Sequence, residues 1–127
     1  MLLPVCFRGR LAAAANERRF FLAPHVLTLE EDHPDRVFVS LMCFHAADVL
    51  TGRCPGPYRD DTAELAARMA LIDEADFAAA QRHDDAVLAE HYGAPLDQIR
   101  ARRRDLQRVE RVDARDWRVR FGRRAPS

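Results

Sequence analysis

The 127-residue chain contains no lysine, so all 20 of its basic side chains are arginines. Such a bias is typical of a GC-rich genome, and we do not interpret the arginines as selected one by one for function. Its three cysteines (Cys6, Cys43 and Cys54) form no Cys-x-x-Cys pair, which argues against both a disulfide framework and a zinc knuckle. No apolar run approaches transmembrane length, and the apolar segment 1–7 is too short for a secretion signal. We therefore expect a cytoplasmic protein without membrane association.

What the chain does contain is typical of one globular domain. Hydrophobic residues make up 48% and charged residues 31%. A chain of this length can bury roughly two thirds of its unfolded surface in a single core. We expect one domain over 1–127, with a core at about 18–106 and a basic C-terminal tail at 107–127.

The formal net charge is zero, but acids and arginines are concentrated in different segments. Acids predominate over residues 59–90, and arginines predominate over residues 100–124. A basic segment of this kind is compatible with a nucleic-acid surface. It is equally compatible with acidic and basic faces of one fold that pair with each other, and the sequence leaves both interpretations open.

The N-terminal half predicts a small strand element and one long helix. Alanines at 12–15 favour a short helix, while aromatic and branched residues predict strands near 19–22 and 26–29. A helix is predicted over 35–50, because Pro34 suits its first turn and Gly52 ends it. Its periodicity indicates an inward face composed of Val37, Phe38, Leu41, Met42, His45, Asp48 and Val49.

The C-terminal half predicts several shorter helices. The first covers 62–71, and we expect its Ala66 and Ala70 to be buried against another helix. Asp73 can cap a short helix, and a further helix begins at 84 or 85 and stops at Gly93. Another helix starts at 95–96 and continues to 106, after which 116–121 indicates a short strand or an anchored end. The predicted fold class is α+β, mainly α, with a strand element on a four- or five-helix core and a helix-turn-helix-like C-terminal pair.

Three segments stand in an order that is found in a known family. They are Arg-Val-Phe-Val-Ser-Leu-Met-Cys-Phe-His-Ala-Ala-Asp-Val-Leu-Thr-Gly at 36–52, Asp-Asp-Thr-Ala-Glu-Leu-Ala-Ala-Arg-Met-Ala-Leu-Ile-Asp at 60–73, and Val-Leu-Ala-Glu-His-Tyr-Gly-Ala-Pro-Leu-Asp-Gln-Ile-Arg at 87–100. In order, spacing and apolar pattern the chain resembles the ImmA/IrrE metallopeptidase-like family. Members place a short strand before a helix that carries His-Glu-x-x-His, then a helix with a third acidic ligand, then a helix-turn-helix-like pair.

The zinc-binding motif of that family is degenerate in this chain. If His45 matches the first histidine, Ala46 replaces the glutamate base and Val49 replaces the second histidine. If Gly52 fixes the alignment, Phe44, His45 and Asp48 fall on the His, Glu and His positions. Neither alignment supplies two imidazoles, a third ligand and a base.

The resemblance places the third ligand on Asp60 or on Glu64. It therefore implies no catalytic residue, no metal and no cofactor, but a relic cleft formed by His45, Asp48, Asp60 and Glu64. Within that cleft, His45 and Asp48 are expected to be half-buried one helical turn apart, bonded to each other or to the neighbouring helix.

The helix pair at 84–106 has a second interpretation as a DNA-binding motif. Ala89 and Gly93 have the spacing that permits a tight helix crossing, although Arg102 stands where an apolar residue is usual. The side chains that would reach bases or phosphates are Gln98, Arg100, Arg102, Arg103 and Arg104.

The favoured hypothesis is a non-enzymatic pseudo-metallopeptidase, a bacterial regulatory module that binds a protein partner such as a DNA-binding repressor. One alternative is an arginine-rich helix-turn-helix DNA-binding regulator. The other is a zinc metallopeptidase with a rearranged site.

Overall fold

The computed structural model describes residues 2–121, with side chains as far as Arg108. The chain opens with a three-stranded antiparallel sheet of order β1-β2-β3, formed by β1 (Leu3–Phe7), β2 (Arg10–Ala15) and β3 (Phe20–Leu22). Arg8 and Gly9 both have positive φ, 56° and 73°, and this tight turn matches the twist of the strands it joins. The predicted strand at 19–22 is confirmed, whereas β1 was not predicted.

Two local predictions in this region are wrong. Residues 12–15 belong to β2 and not to a helix, because Ala13 and Ala15 pair with β1 and are only 2% and 1% exposed. Their burial in the sheet outweighs the helix propensity of alanine. The predicted strand near 26–29 is instead helix α1 (Pro24–Leu27), which begins with proline at its first position.

Five further helices follow: α2 (Pro34–Leu50), α3 (Asp60–Leu71), α4 (Glu74–Ala79), α5 (Asp85–Tyr92) and α6 (Leu96–Phe121). The fold is thus α+β and mainly α, as predicted, with a small N-terminal sheet and six helices within residues 2–121. None of these helices is long and apolar enough to cross a membrane.

Helix α2 packs on one face of the sheet and supplies the centre of the first hydrophobic cluster. Its start agrees with the prediction, since the His33 imidazole accepts a hydrogen bond from the Asp35 backbone N–H at 3.1 Å. The predicted inward face is only partly right, because the face that packs on the sheet and on α3 is turned by about one residue position around the helix. The buried residues are Phe38, Val39, Met42, Cys43 and Ala46.

Helix α3 packs against α2 through a different pair of alanines from the pair predicted. Ala63 and Ala67 are 0% and 1% exposed and belong to the first cluster. Ala70 is exposed and Ala66 is half-buried, so the prediction for these two residues is wrong. The alanine pattern allows either face to turn inward, and contact with α2 decides between them.

A second cluster joins α4, α5 and α6 around Phe77, Leu88 and Ile99. Asp73 caps α4 as predicted, accepting from the Asp76 N–H at 3.0 Å, and Gly93 ends α5 with φ of 63°. Because α6 continues to residue 121, the short strand at 116–121 is not formed.

Candidate functional site

The positions on α2 that the resemblance assigns to the peptidase motif differ sharply in exposure. Ala46, the base position of the first alignment, is fully buried in the core. Phe44, the first ligand position of the second alignment, is 59% exposed, and His45 and Asp48 are half-buried. Side chains at the positions of the second alignment are therefore accessible to a metal ion and its bound water, whereas residue 46 is not.

His45 and Asp60 both lie next to Tyr58, on the α3 side of α2. The rings of His45 and Tyr58 have centroids 6.4 Å apart. The Tyr58 hydroxyl donates to Asp60 Oδ1 at 2.8 Å, and the Cys6 backbone N–H donates to the same oxygen at 3.1 Å. Burial and then the contact with Asp60 hold the pKa of Tyr58 well above its usual range. Asp60 therefore anchors the start of α3 to β1.

Asp48 lies about one helical turn after His45 on α2, and its described ion-pair partner is Arg53. Its carboxylate is 4.0 Å from Arg53 Nη1, and both side chains are largely exposed. The described contacts of Asp48 include this ion pair but no hydrogen bond to His45. Among the described contacts, neither side chain has the expected hydrogen bond: His45 has a ring contact with Tyr58, before the start of α3, and Asp48 pairs with Arg53.

Glu64 occupies a third setting, a polar groove of about 330 Å³ between α3 and α6 that Arg68 and Gln98 also line. Burial raises the pKa of Glu64, and the nearby Arg68 partly offsets that rise. The four residues of the predicted cleft are thus divided among three surroundings. Among the side chains described, no group of three or more potential ligands is close enough to hold a metal ion.

A groove that the sequence did not predict lies beside the second-alignment positions. It encloses about 350 Å³ between the β2–β3 turn and the later half of α2, and its lining includes Arg18, Arg19, Phe20, Phe44, Asp48 and Arg53. We refer to it as the α2 groove.

The turn beside the groove is held by Asn16, whose side-chain oxygen accepts hydrogen bonds from the backbone N–H groups of Arg18 and Arg19, both at 2.8 Å. The rings of Phe20 and Phe44 meet edge to face at 5.7 Å. Asn16 after the alanine run was the available turn signal, and the helix predicted at 12–15 concealed it.

The residues proposed to read DNA are mostly used inside the fold. Gln98 and Arg102 are buried, 3% and 5% exposed, and Gln98 accepts from Arg68. Arg100 and Arg103 both donate to Asp85. Arg100 and Arg104 are the exposed members of the set, and Arg104 forms none of these contacts with Asp85. In this conformation Gln98 and Arg102 are not available to base edges.

The uneven charge of the chain is partly explained by these contacts. Asp85, from the acidic segment, pairs with Arg100 and Arg103 of the basic segment. Arg68 pairs with Asp105 at 2.9 Å, and both side chains are mostly buried. The expectation that acidic and basic faces pair with each other is confirmed for Asp85 with Arg100 and Arg103.

Comparisons of the chain with protein-family models, with curated proteins and with solved structures found no match.

Proposed function

We propose that this chain is a degenerate member of the ImmA/IrrE metallopeptidase-like family and acts as a non-enzymatic, protein-binding regulatory module in bacteria. The order of elements supports the resemblance: a sheet precedes α2, α3 follows it, and the α5–α6 pair comes last. The single observation that supports the non-enzymatic part of the proposal is which residues α2 carries at the motif positions. Its accessible motif positions hold Phe44, His45 and Asp48, which do not form a zinc-binding set.

The second alignment is the better one. Gly52 has φ of 77° and lies just beyond the end of α2, where the family pattern places a glycine. Residue 46 then falls on a packing position of the motif, in agreement with its complete burial. In the first alignment the same residue would be the general base, which has to reach metal-bound water.

An engineered variant tests this alignment. Phe44→His, His45→Glu and Asp48→His together write His-Glu-x-x-His on the accessible face, with imidazoles at i and i+4. We expect this triple variant to stay folded and to bind zinc more tightly than the unmodified protein in a competition titration with a chromogenic chelator.

The matched control is Ala46→Glu with Val49→His, which follows the first alignment. It puts a carboxylate into the core and should lower the melting temperature strongly. A stable control variant that gains zinc affinity, together with a triple variant that gains none, would show that the first alignment is right.

The protein-binding part rests on the α2 groove, where exposed aromatic and charged side chains meet. The test is chemical crosslinking in the native host through a photoreactive residue placed at Phe44, with Met69, exposed on α3, as the control position. We expect one specific crosslinked protein at position 44 and none at position 69. Equal or absent crosslinking at both positions would count against a partner at this groove.

A DNA-binding regulator is the second candidate, favoured by the left-handed turn at Gly93 between α5 and α6 and by the exposed Arg104. It ranks lower because Gln98 and Arg102 are buried and Arg103 is bonded internally. If it is correct, the protein binds duplex DNA with a steep salt dependence, and Arg104→Glu abolishes binding. Absence of binding at low salt excludes this function.

A further inference from the structure

The wall of the α2 groove formed by the β2–β3 turn carries two arginines beside a single carboxylate, Glu17. Arg18 and Arg19 are exposed, and within the described part of the chain neither forms an ion pair. On the opposite wall, Arg53 Nη1 lies 4.0 Å from the Asp48 carboxylate, and the Arg53 side chain is 79% exposed. Carboxylates of a bound segment can therefore pair with Arg18 and Arg19 without breaking an existing contact.

Part of the lining of the α2 groove is apolar. Cys43 and Ala47 line it, and Phe20 and Phe44 meet edge to face at its side. Phe44 is 59% exposed, an unusual state for a phenylalanine that lies in a concave site. A bound aromatic or aliphatic side chain would remove the Phe44 ring from water.

From this arrangement we infer that the α2 groove binds an acidic segment of a partner protein. One aromatic or aliphatic side chain of that segment sits against Phe20 and Phe44, and neighbouring carboxylates pair with Arg18 and Arg19. This inference rests on the proposed protein-binding function and specifies the chemistry of its partner.

A nucleic-acid strand fits the same site less well. Glu17 and Asp48 also line the groove and would repel a continuous phosphate backbone, whereas a peptide can place its charges only where the arginines are. Charge thus favours a protein segment.

The test uses fluorescence anisotropy with synthetic 12-residue peptides. The probe carries one phenylalanine flanked by glutamates, and two analogues replace all glutamates with glutamine or with lysine. We expect the acidic probe to bind at least about tenfold more tightly than the glutamine analogue, and the lysine analogue not to bind. Equal binding of the acidic and glutamine peptides, or no binding of the acidic probe up to about 1 mM, would overturn the inference.

Variants locate the site. Phe44→Ser and the pair Arg18→Glu, Arg19→Glu should each weaken binding of the acidic probe at least about tenfold, while Met69→Ser, which removes an equally exposed apolar side chain from α3, should not. If Met69→Ser weakens binding as much as Phe44→Ser, or a single-stranded oligonucleotide displaces the probe and binds more tightly, the inference is wrong.

These outcomes are separate from those for the proposed function. Stoichiometric zinc with peptide cleavage would refute the non-enzymatic proposal and leave the charge preference of the groove untouched. Loss of that preference would refute the inference and leave the non-enzymatic proposal standing.

Discussion

Arg103 of α6 holds the start of α5 through Asp85, with Nε 2.7 Å from Oδ1. The same guanidinium donates to the backbone carbonyl groups of Gln81 and His83, at 3.2 and 2.6 Å. It also lies 5.7 Å from the centre of the Phe77 ring. One arginine thus joins α6 to the loop between α4 and α5, which explains why it is not free to contact DNA.

Replacing Arg103 with alanine should therefore destabilise the fold. It removes charge-assisted hydrogen bonds and takes this donor away from the partly buried Gln81 carbonyl group, and we expect a loss of about 1–3 kcal/mol in the free energy of unfolding. Urea denaturation measures this loss. The control is Arg104→Ala, an exposed neighbour, which should change stability by no more than about 0.5 kcal/mol. Equal effects of the two variants would contradict the role assigned to Arg103.

The same contact predicts a pH dependence. The hydrogen bond from Arg103 lowers the pKa of Asp85 in the folded protein, even though burial opposes the shift. A carboxyl group with a depressed folded pKa stabilises the fold above its unfolded value of about 3.9, and that stabilisation is lost as the pH falls through the folded value. Asp85→Asn should be less stable than the unmodified protein at pH 7, and the two should converge once the pH is below the folded pKa of Asp85. A stability difference that does not depend on pH would exclude this linkage.

The packing of α3 on α2 predicts opposite responses at neighbouring alanines. Ala67→Leu should overpack the first cluster and cost about 1–3 kcal/mol, because Ala67 is 1% exposed. Ala70→Leu lies on the exposed face and should change stability by less than about 0.5 kcal/mol. Thermal melts of both variants measure the difference, and a larger loss at position 70 would mean that α3 packs through its other face.

Arg102 is a buried cation whose Nε has no hydrogen-bond partner among the side chains that the structure describes. Substitution by methionine keeps the aliphatic length and removes the unsatisfied polar group, so we expect a gain of about 1–3 kcal/mol in stability. Arg100→Met, which removes an exposed ion pair with Asp85, should produce no such gain. Chemical denaturation compares the two, and a destabilised Arg102→Met variant would show that the buried guanidinium is needed.

Much of the helical part of the fold could be predicted from local signals. Pro34 and Gly52 bracket α2, Asp73 caps α4, and Gly93 ends α5, because each residue acts through backbone geometry within one turn of its position. The sheet could not be predicted in the same way. The alanines of β2 favour a helix locally, and only pairing with β1 and burial against α2 make them a strand.

The candidate site was harder to predict, because its residues come together only through that sheet. His45 and Asp48 were identified from the motif, but the turn at Asn16 that brings Arg18 next to Phe44 depends on the unpredicted hairpin. Likewise, the exposure of Arg104 and the burial of Arg102 depend on which face of α6 meets the second cluster. Periodicity does not settle that choice in a helix with arginines on several faces.

The most direct test of the non-enzymatic proposal is the zinc content of the unmodified protein. The protein is incubated with excess zinc, desalted, and analysed by inductively coupled plasma mass spectrometry beside a His45→Ala variant. We predict well below one zinc per chain, unchanged by the substitution, since Phe44 and Asp48 occupy the accessible ligand positions on α2. One zinc per chain that is lost in His45→Ala, together with loss of cleavage of a repressor substrate, would contradict the proposal.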